Sequence, residues 1–324
     1  MLKDVLDQPD HIRDALWRVD SAQLKARRSS GLVVCGMGGS AIGGELARGL
    51  LGDRLTGPLA VVRAYTLPGW VNHEGAVVAW GESGDTGEAR AGCKSAGGVG
   101  THRWVAGTGG KLGEQARDAD VGIVGLPGLF QPRVTVAYMT VVATATAYLA
   151  GIAPDVSSEI ENAAAYVENS RDSLQDLAIQ LAEQILDTPV VVHGADLTVP
   201  VARRWANQFN ENAKQLAFSA EIPEANHNLM EAWAKGAGGL GAIFLEDIGQ
   251  TPRERRRMEL TAEAIRRTGA PVFTIETEGE TRADRLFWSV MLGDLVSVAV
   301  AGHRGVDPLP VDQIQDFKRR LGDS

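Results

Sequence analysis

Short runs of apolar residues alternate along the chain with longer segments in which apolar residues recur every three or four positions. The short runs are typical of buried β-strands and the longer segments of helices. The predicted strands are Leu32–Cys35, Leu59–Val62, Ala76–Trp80, Trp104–Ala106, Val121–Val124, Val190–Val192, Leu240–Leu245 and Val272–Ile275. Their alternation with helices predicts an α/β protein whose parallel sheets are covered by helices on both faces.

The segments between these strands predict the helices. They are Leu2–Val19 with a restart at Gln8–Asp10, a helix entered through Ser40, one starting near Gly110, Arg133–Leu149, a long helix from Ser158 past Ile185, Val199–Phe218, Arg253–Arg267, Ala283–Val300 and Gln313–Leu321. Ser158 and Glu161 fit a capping box at the start of the long helix.

The chain length of 324 residues predicts two domains. Gly151–Asp155, which contains a proline, is the best boundary. We therefore expect domains at residues 1–152 and 153–324. Because both halves repeat the order of strands and helices, we also expect a duplicated architecture.

Charge and cysteine content narrow the functional classes. A net charge of -9 argues against a general nucleic-acid or acidic-membrane surface. The basic run Arg253–Arg257 is interpreted as a solvated helix face. The two cysteines, Cys35 and Cys93, predict neither a disulfide nor a metal site. With no signal peptide and no apolar run of about 18 residues, we expect a cytoplasmic protein that does not enter membranes.

A glycine-rich turn, Gly36–Ala41, follows the first strand and leads into a helix through Ser40. Glycines allow a close backbone approach, and the first N–H groups of a helix attract anions. The turn also fits the dinucleotide pattern G-x-G-x-x-A, but the next strand ends in Val62-Arg63-Ala64 without the acidic residue that binds a ribose. We favour a small-anion or sugar-hydroxyl site over a dinucleotide site or a purely structural turn.

Three later segments carry further candidate chemistry. Ser83–Thr86 begins a second helix and suits either a phosphate cradle or ordinary helix capping. Asn207–Lys214 carries several short amides, which are unusual in a helix unless they serve a pocket or an interface. Within it, Glu211 is either a functional carboxylate or the partner of Lys214 in a solvated ion pair. His227, in a polar loop, is either catalytic or an ordinary surface histidine.

These motifs occur together in a fixed order. They are Gly-Met-Gly-Gly-Ser-Ala (36–41), Ser-Gly-Asp-Thr (83–86), Gln-Pro-Arg (131–133), Asn-Glu-Asn-Ala-Lys (210–214) and Glu-Ala-Asn-His-Asn (224–228). On these motifs the chain resembles the bifunctional phosphoglucose/phosphomannose isomerases of the sugar isomerase (SIS) superfamily. The resemblance covers nearly the whole chain.

The resemblance implies both a fold and a reaction. The fold would be a tandem pair of SIS domains, each a flavodoxin-like three-layer αβα arrangement with a parallel sheet flanked by helices. The reaction would interconvert glucose 6-phosphate or mannose 6-phosphate with fructose 6-phosphate through a cis-enediol. It would need neither a metal nor another cofactor.

The resemblance also implies roles for individual residues. Glu211 matches the base that moves a proton between C1 and C2, and Arg133 matches the arginine that stabilises the enediol charge. His227 matches a residue that assists ring opening and, in the family, reaches the active site of the partner subunit of a homodimer. Lys318 matches a lysine that acts near the ring oxygen. The positions that match substrate and phosphate contacts are Gly39, Ser40, Ser83 and Thr86.

The second turn departs from the usual family pattern Ser-x-Ser-Gly-Asn-Thr-Glu-Glu. Gly81 stands in place of a phosphate-binding hydroxyl, and Glu82 and Asp85 add negative charge beside the expected phosphate. Near the C-terminus, Leu309 replaces another hydroxyl. These departures leave two alternatives open. One is an isomerase with an altered substrate, and the other is a non-catalytic protein that binds sugar phosphates.

Overall fold

The structure is a computed structural model, and it describes residues 1–81, 87–119, 121–128, 131–236 and 238–322. The chain forms two compact units. Unit A consists of Asp7–Glu161 and Val311–Ser324, and unit B of Met1–Leu6 and Asn162–Pro310. These units are groups of residues that pack together, and the predicted domain division after residue 152 stays a prediction.

The helices and strands follow the predicted alternation. The helices are α1 (Leu2–Leu6), α2 (Gln8–Ser21), α3 (Gly39–Leu51), α4 (Gly87–Gly98), α5 (Gly110–Asp118), α6 (Val136–Leu149), α7 (Ser157–Asn169), α8 (Arg171–Ile185), α9 (Thr198–Gln208), α10 (Leu229–Ala234), α11 (Pro252–Arg266), α12 (Arg282–His303) and α13 (Asp312–Leu321). The strands are β1 (Leu32–Cys35), β2 (Leu59–Val62), β3 (Ala76–Gly81), β4 (His102–Gly107), β5 (Gly122–Gly125), β6 (Val190–Gly194), β7 (Ala217–Glu221), β8 (Gly241–Glu246) and β9 (Val272–Glu276).

The sheet of unit A has its described strands in the order β2-β1-β3-β4-β5, and all neighbouring pairs are parallel. This is the strand order of flavodoxin-like folds, in which ligands bind at the carboxyl ends of the strands where the order reverses. In unit A that point lies between β1 and β3. The predicted fold class is therefore confirmed for this unit.

Both faces of the unit A sheet are covered by helices because its central strands are apolar throughout. Every residue of β1 and of β3 is buried. Successive side chains of a strand point to opposite faces. Val33 and Val77 accordingly pack in a cluster with Ala89 of α4 and Leu112 of α5. The opposite face meets α3, which also packs against α6.

Two glycines of the motif region permit this packing of α3. A Cβ at Gly43 would lie 2.2 Å from the Cβ of Met139 in α6, and a Cβ at Gly44 would lie 2.9 Å from Cγ1 of Val34 in β1. Only a residue without a side chain allows approaches this close. Gly43 and Gly44 thus serve helix packing, whereas Gly36–Gly39 forms the turn.

The sheet of unit B repeats the same relative strand order. Its described strands run β7-β6-β8-β9, and neighbouring strands are again parallel. The central strand β6 is buried throughout. Residues of β6 and β8 pack with Met258, Ala262 and Ile265 of α11. The repeated order agrees with the duplicated architecture expected from the sequence.

The long helix α12 is the core helix of unit B. By length and composition it is apolar enough to cross a membrane, and within the described residues no other helix is. Its most apolar window is 78% buried inside the protein, and the helix also carries the buried charges Asp284, Arg285 and Asp294. Such burial is expected of a core helix in a globular unit.

The helix predicted for Val199–Phe218 is wrong in its second half. Helix α9 ends at Gln208, a π-helical turn follows over Phe209–Ala213, and the chain then enters β7. Lys214 adopts a left-handed conformation with a φ of +52°, and this ends the helix because the αL region cannot continue a right-handed one. Only the first residue of β7 is buried, so the strand lacks the apolar pattern that would reveal it.

The predicted long helix from Ser158 is two helices separated at Ser170. The hydroxyl of Ser170 donates to the carbonyl of Tyr166 at 2.9 Å, and such local side-chain bonds compete with the helical ladder. The capping-box prediction is also wrong, because α7 begins at Ser157. At that end, Oδ1 of Asp155 accepts a hydrogen bond from the backbone N–H of Ser157 at 2.9 Å.

Both cysteines are buried free thiols, and both belong to the apolar cluster of unit A between the sheet and α4. Burial, followed by the proximity of Cys93, raises the pKa of Cys35 to about 12. Burial also raises the pKa of Cys93, although Arg103 opposes that shift. Neither thiol is therefore ionised at neutral pH.

Candidate functional site

The turn between β1 and α3 approaches the segment that leads into α6. Gly38 has a φ of +50°, which favours glycine. A Cβ at Gly39 would lie 3.1 Å from the carbonyl oxygen of Pro132, so glycine at this position lets the two backbones meet. Ser40 is half-buried in the first turn of α3, and its hydroxyl makes no hydrogen bond with another described residue.

Arg133 lies beside this turn. It belongs to the 3-10 turn Pro132–Val134, and its side chain is buried, with Nη1 donating to Oε1 of Gln131 at 3.5 Å. A Cβ at Gly39 would lie 3.6 Å from the Cα of Arg133. The fold thus brings Gly39, Ser40 and Arg133 together at the carboxyl edge of the unit A sheet. A guanidinium beside a helix N-terminus suits an anionic group.

Arg63, which would suit a 2′-phosphate in the dinucleotide alternative, has another partner. Its Nη2 lies 2.8 Å from Oε1 of Glu45, a buried carboxylate of α3. The residue that follows β2 is therefore held in an ion pair. This arrangement favours the small-anion or sugar site over a dinucleotide site.

The second polar turn begins at the same sheet edge. β3 ends at Gly81 beside β1 in parallel register, with Cys35 opposite Ala79, so the two strand ends meet as expected. Ser83 and Thr86, together with Glu82 and Asp85, lie outside the described residues. The contacts of Ser83 and Thr86 with substrate stay predictions.

Glu211 lies in unit B on the π-helical turn Phe209–Ala213. π-Helical turns inside helices are rare and frequently occur at functional sites. The flanking residues Phe209 and Asn212 are fully buried, whereas the side chain of Glu211 is half-buried. The turn therefore fixes the backbone of Glu211 while leaving the residue partly accessible.

A ladder of buried polar contacts joins α9 and the π-helical turn to α12. Arg204 binds the carboxylate of Asp294 through Nε at 2.9 Å and Nη2 at 2.6 Å, and Gln208 donates to the same carboxylate at 2.9 Å. Nδ2 of Asn212 donates to Oγ of Ser297 at 2.9 Å. We call these five residues the polar ladder. Its three members on the α9 side recur every four residues, so they share one helix face.

The polar ladder was missed in the sequence, although a signal for it exists. Arg204, Gln208 and Asn212 form a polar stripe at helical spacing, and Asp294 and Ser297 interrupt an otherwise apolar helix. Burial raises the pKa of Asp294, while the ion pair with Arg204 and the hydrogen bonds from Arg204 and Gln208 act in the opposite direction. A buried carboxylate held in this way orders the helices that it joins.

Two of the short amides noted in the sequence, Asn210 and Asn212, have structural partners. Asn210 pairs with the backbone of Ala217 in β7, donating to its carbonyl at 3.0 Å and accepting from its N–H at 3.1 Å. Nζ of Lys214 donates to the carbonyls of Glu211 at 2.5 Å and Pro310 at 2.7 Å. These contacts hold the turn that carries Glu211.

His227 ends the 3-10 turn Glu224–His227 and is exposed. Its neighbours anchor the loop: Nδ2 of Asn226 donates to Oγ1 of Thr261 at 2.7 Å. Asn228 caps α10 by accepting from the N–H of Leu229. The imidazole of His227 itself makes no hydrogen bond with another described residue. The loop therefore presents this side chain to solvent in the single chain.

Lys318 lies on α13 in unit A, a helix with no buried residue. Arg319 and Arg320 of the same helix pair with Asp316 at 3.0 and 3.7 Å. The ammonium of Lys318 makes no ion pair with another described residue. The proximity of Lys318 to a substrate stays a prediction.

In the described part of the chain, no group of three or more His, Cys, Asp or Glu side chains is arranged to hold a metal ion. The basic run Arg253–Arg257 lies on α11 and contacts acidic or amide side chains. Arg255 pairs with Glu276 and Arg257 with Asn226. These contacts are those of a solvated helix face.

Residues 174–321 match the family described as the bacterial phospho-glucose isomerase C-terminal SIS domain. The bifunctional phosphoglucose/phosphomannose isomerase of Aquifex aeolicus is 32% identical over 90% of both chains. The D-glucosamine-6-phosphate 4-epimerase of Sulfolobus acidocaldarius is 31% identical over 63% of this chain and 64% of its own.

A solved structure shares the fold. The C-terminal domain of glucosamine-fructose-6-phosphate aminotransferase from Francisella tularensis superposes with a TM-score of 0.75 at 13% identity, covering 95% of this chain and 96% of that one. The family match identifies residues 174–321 as an SIS domain, and the solved structure shows the same fold over nearly the whole chain. The family match and the identity to the Aquifex protein together show that the chain belongs to the family of bifunctional phosphoglucose/phosphomannose isomerases, which are enzymes of the isomerase class.

Proposed function

We propose that the chain interconverts glucose 6-phosphate or mannose 6-phosphate with fructose 6-phosphate. The structural observation that carries this proposal is the half-buried Glu211 on a π-helical turn that the polar ladder and Asn210 hold in place. A general base needs such a fixed position, because proton transfer requires hydrogen-bond reach to the substrate carbon.

In the proposed reaction, Glu211 removes the proton from C2 of the open-chain aldose and returns it to C1 of the cis-enediol. The C1 carbonyl oxygen gains a proton and the C2 hydroxyl loses one, so atoms and charge balance. The guanidinium of Arg133 stabilises the negative charge that develops on the enediol oxygens. The exchange moves protons within the substrate, so we propose that it uses no metal or redox cofactor.

We infer from the family resemblance that His227 and Lys318 assist ring opening. One group must give a proton to the ring oxygen while another accepts the proton of the anomeric hydroxyl. We also infer a cytoplasmic homodimer in which His227 serves the site of the partner subunit. The exposed position of His227 supports this inference.

The test is a coupled assay with glucose, mannose and fructose 6-phosphates. We expect Glu211→Gln to lower kcat by about 10²–10⁴-fold, because the amide cannot accept the proton. The matched control is Glu221→Gln, an exposed carboxylate at the end of β7, which should keep wild-type activity. Full activity in the Glu211 variant would rule out the assigned base.

A second candidate is an isomerase of this family whose substrate is uncharged or differently charged, such as an amino-sugar phosphate that carries an ammonium group beside its phosphate. Gly81, Glu82 and Asp85 favour it, since they replace a hydroxyl and add negative charge in the expected phosphate turn. The similarity to a 4-epimerase of an amino-sugar phosphate also favours it. Including glucosamine 6-phosphate in the assay discriminates the two. Turnover of that compound at a higher kcat/KM than the hexose phosphates would establish the second candidate.

A further inference from the structure

Unit A contains a cavity at the amino ends of β4 and β5. Its volume is about 360 Å³, which is within the size range of small-molecule sites. Its walls are the connector that follows α2, the start of β4 and the start of β5. We call it the basic cavity.

The basic cavity is separate from the candidate isomerase site. The turn Gly36–Gly39 follows the carboxyl end of β1, whereas the cavity is lined by His102 at the amino end of β4. The strands are parallel, so these are opposite edges of one sheet. A strand of the length of β4 separates the edges by roughly 17–20 Å.

The charge of the cavity opposes that of the whole chain. The chain has a net charge of -9, yet the described residues that line the cavity include Lys25 and Arg27 and no Asp or Glu. Arg103 also lines it, but its guanidinium packs against Cys93 and Gly97 of α4. Asp120, between the lining residues Ala119 and Val121, lies outside the described residues. Concave surfaces lined by one sign of charge concentrate the potential and attract counter-ions. The described lining therefore favours an anion, in contrast to the charge of the chain as a whole.

The backbone that carries two of these cations is fixed. The N–H of Arg27 donates to the carbonyl of Leu149 at 2.9 Å, and the N–H of Ser29 donates to that of Ala150 at 2.9 Å. Gln23 adopts a φ of +46° and its side chain donates to the carbonyl of Asp20 at 2.7 Å. The backbone of the connector is therefore already ordered beside the cavity, and this reduces the entropy cost of binding a ligand there.

The aromatic lining of the cavity is formed by His102 and Trp104. The rings of His102 and Trp104 meet edge to face at 4.5 Å. Nε2 of His102 and Nε1 of Trp104 are buried without a partner among the described residues. Trp104 is only 1% exposed and both nitrogens are closed off from the cavity, so this pair offers a ligand ring surface and no hydrogen bond. Burial, then Arg27 and Arg103, lower the pKa of His102, in keeping with the positive surroundings.

We propose that the basic cavity binds a small organic anion carrying phosphate or carboxylate groups, whose charge meets Lys25 and Arg27 and whose body covers His102 and Trp104. The anion is a metabolite-sized molecule and not a nucleic acid or a membrane, because the cavity is a small, half-open recess on an acidic protein. This site is additional to the proposed isomerase site and does not depend on isomerase activity.

The test is isothermal titration of the full chain with inorganic pyrophosphate and with citrate. The variant Lys25→Gln/Arg27→Gln removes both cations while keeping side chains of similar length. The matched control Arg28→Gln/Lys94→Gln removes two exposed cations of unit A that do not line the cavity. Thermal unfolding of all three proteins verifies that the substitutions, which are at exposed positions, leave the fold intact.

We expect one binding event of the wild type to weaken by about tenfold or more in the cavity variant and to persist in the control. Anion binding at the isomerase site would be unchanged in both variants. This difference distinguishes binding at the isomerase site from binding in the cavity. Three results would overturn the proposal: no binding of either probe by the wild type, equal binding by all three proteins, or an equal loss in both variants.

Discussion

His193 has neither an ion-pair partner nor a hydrogen-bond partner among the described residues. It lies in the buried strand β6, fully buried, and its ring stacks on Phe244 at 4.5 Å with an interplanar angle of 6°. Burial lowers the pKa of His193 to about 4. The neutral imidazole therefore packs as an aromatic ring, and protonation would place an uncompensated charge in the core of unit B.

This histidine makes stability depend on pH. Below its ordinary pKa of 6.5, the unfolded chain binds a proton that the folded chain does not bind until about pH 4. The free energy of unfolding therefore falls as the pH falls through this window. A shift from 6.5 to about 4 corresponds to about 3 kcal/mol.

We expect His193→Phe to remove this contribution. In urea unfolding, the loss of stability between pH 7.5 and pH 4.5 should be about 2–3 kcal/mol smaller in the variant than in the wild type. His303→Phe, at an exposed position of α12, is the control and should keep the wild-type pH dependence. Identical pH dependence in the wild type and His193→Phe would contradict the assignment.

Single residues were predictable from the sequence to different degrees. Gly39 and Arg133 were proposed for one site, and the fold does bring their backbones together. That Arg133 is buried could not be predicted, because its burial depends on the packing of α3 against the start of α6. Asp294 was overlooked because the apolar residues around it predict a core helix, and its partner Arg204 is remote in the sequence.

At the scale of elements, the π-helical turn depends on contacts from α12. The hydroxyl of Ser297 accepts from Asn212 and donates to the carbonyl of Asp294 at 2.7 Å. Without that hydroxyl, the buried amide of Asn212 would lose its acceptor. An unsatisfied buried donor costs about 1–3 kcal/mol, and the neighbouring Glu211 would lose part of its fixed position.

We therefore expect Ser297→Ala to lower the free energy of unfolding by about 1–3 kcal/mol and also to lower kcat. The control is Ser173→Ala, because Ser173 makes a similar local bond to the carbonyl of Ser170 at 2.9 Å on an exposed part of α8. That variant should stay within about 0.5 kcal/mol of the wild type. Denaturant unfolding and steady-state assays measure both effects, and an unchanged Ser297 variant would contradict the role of the ladder.

The close packing of α3 on α6 gives a second prediction. Gly43→Ala places a methyl group 2.2 Å from Cβ of Met139 and 2.8 Å from its carbonyl carbon, so the helices must separate. We expect the free energy of unfolding to fall by about 1–3 kcal/mol or more. Truncating Met139 to Ala should not rescue the variant, because the clashing atoms would remain.

Gly98→Ala in α4 is the matched control for Gly43. A Cβ at Gly98 meets no other atom within 4 Å, so the substitution should be neutral or stabilise the protein by up to about 1 kcal/mol. Thermal and urea unfolding compare the two variants. A Gly43 variant as stable as the Gly98 variant would show that α3 and α6 can separate without cost.

Elements buried on both faces were predictable, whereas two largely exposed elements, β7 and α10, were missed. The strands β1, β3, β6 and β8 appear in the sequence as continuous apolar runs. β7 (Ala-Phe-Ser-Ala-Glu) has mostly exposed residues and no regular alternation of apolar and polar positions, and the amides before it favoured a continued helix. The short helix α10 was missed for a similar reason, since only Trp233 is buried in it.

At the scale of the whole molecule, the proposed exchange of His227 between subunits makes a quantitative prediction. Mixing Glu211→Gln with His227→Ala dimers under subunit exchange produces mixed dimers. Half of the sites in a mixed dimer have Glu211 together with His227 of the partner subunit. Because about half of all dimers are mixed, we expect about one quarter of wild-type activity in the mixture.

The control mixes Glu211→Gln with the double variant Glu211→Gln/His227→Ala, which should stay inactive because no subunit supplies the base. If the first mixture is no more active than its separate components, His227 does not act across the interface. That outcome would leave the assignment of Glu211 intact, because the Glu211 variant alone tests it.

Both thiols of the chain lie in the core of unit A, and unit B has none. A thiol reagent attacks the thiolate, and Cys35, with a pKa of about 12, can react at neutral pH only when its surroundings open. The rate of thiol labelling in the native protein therefore reports the opening of unit A alone. Comparing this labelling rate with the rate of global unfolding shows whether the two units lose their structure together or one at a time.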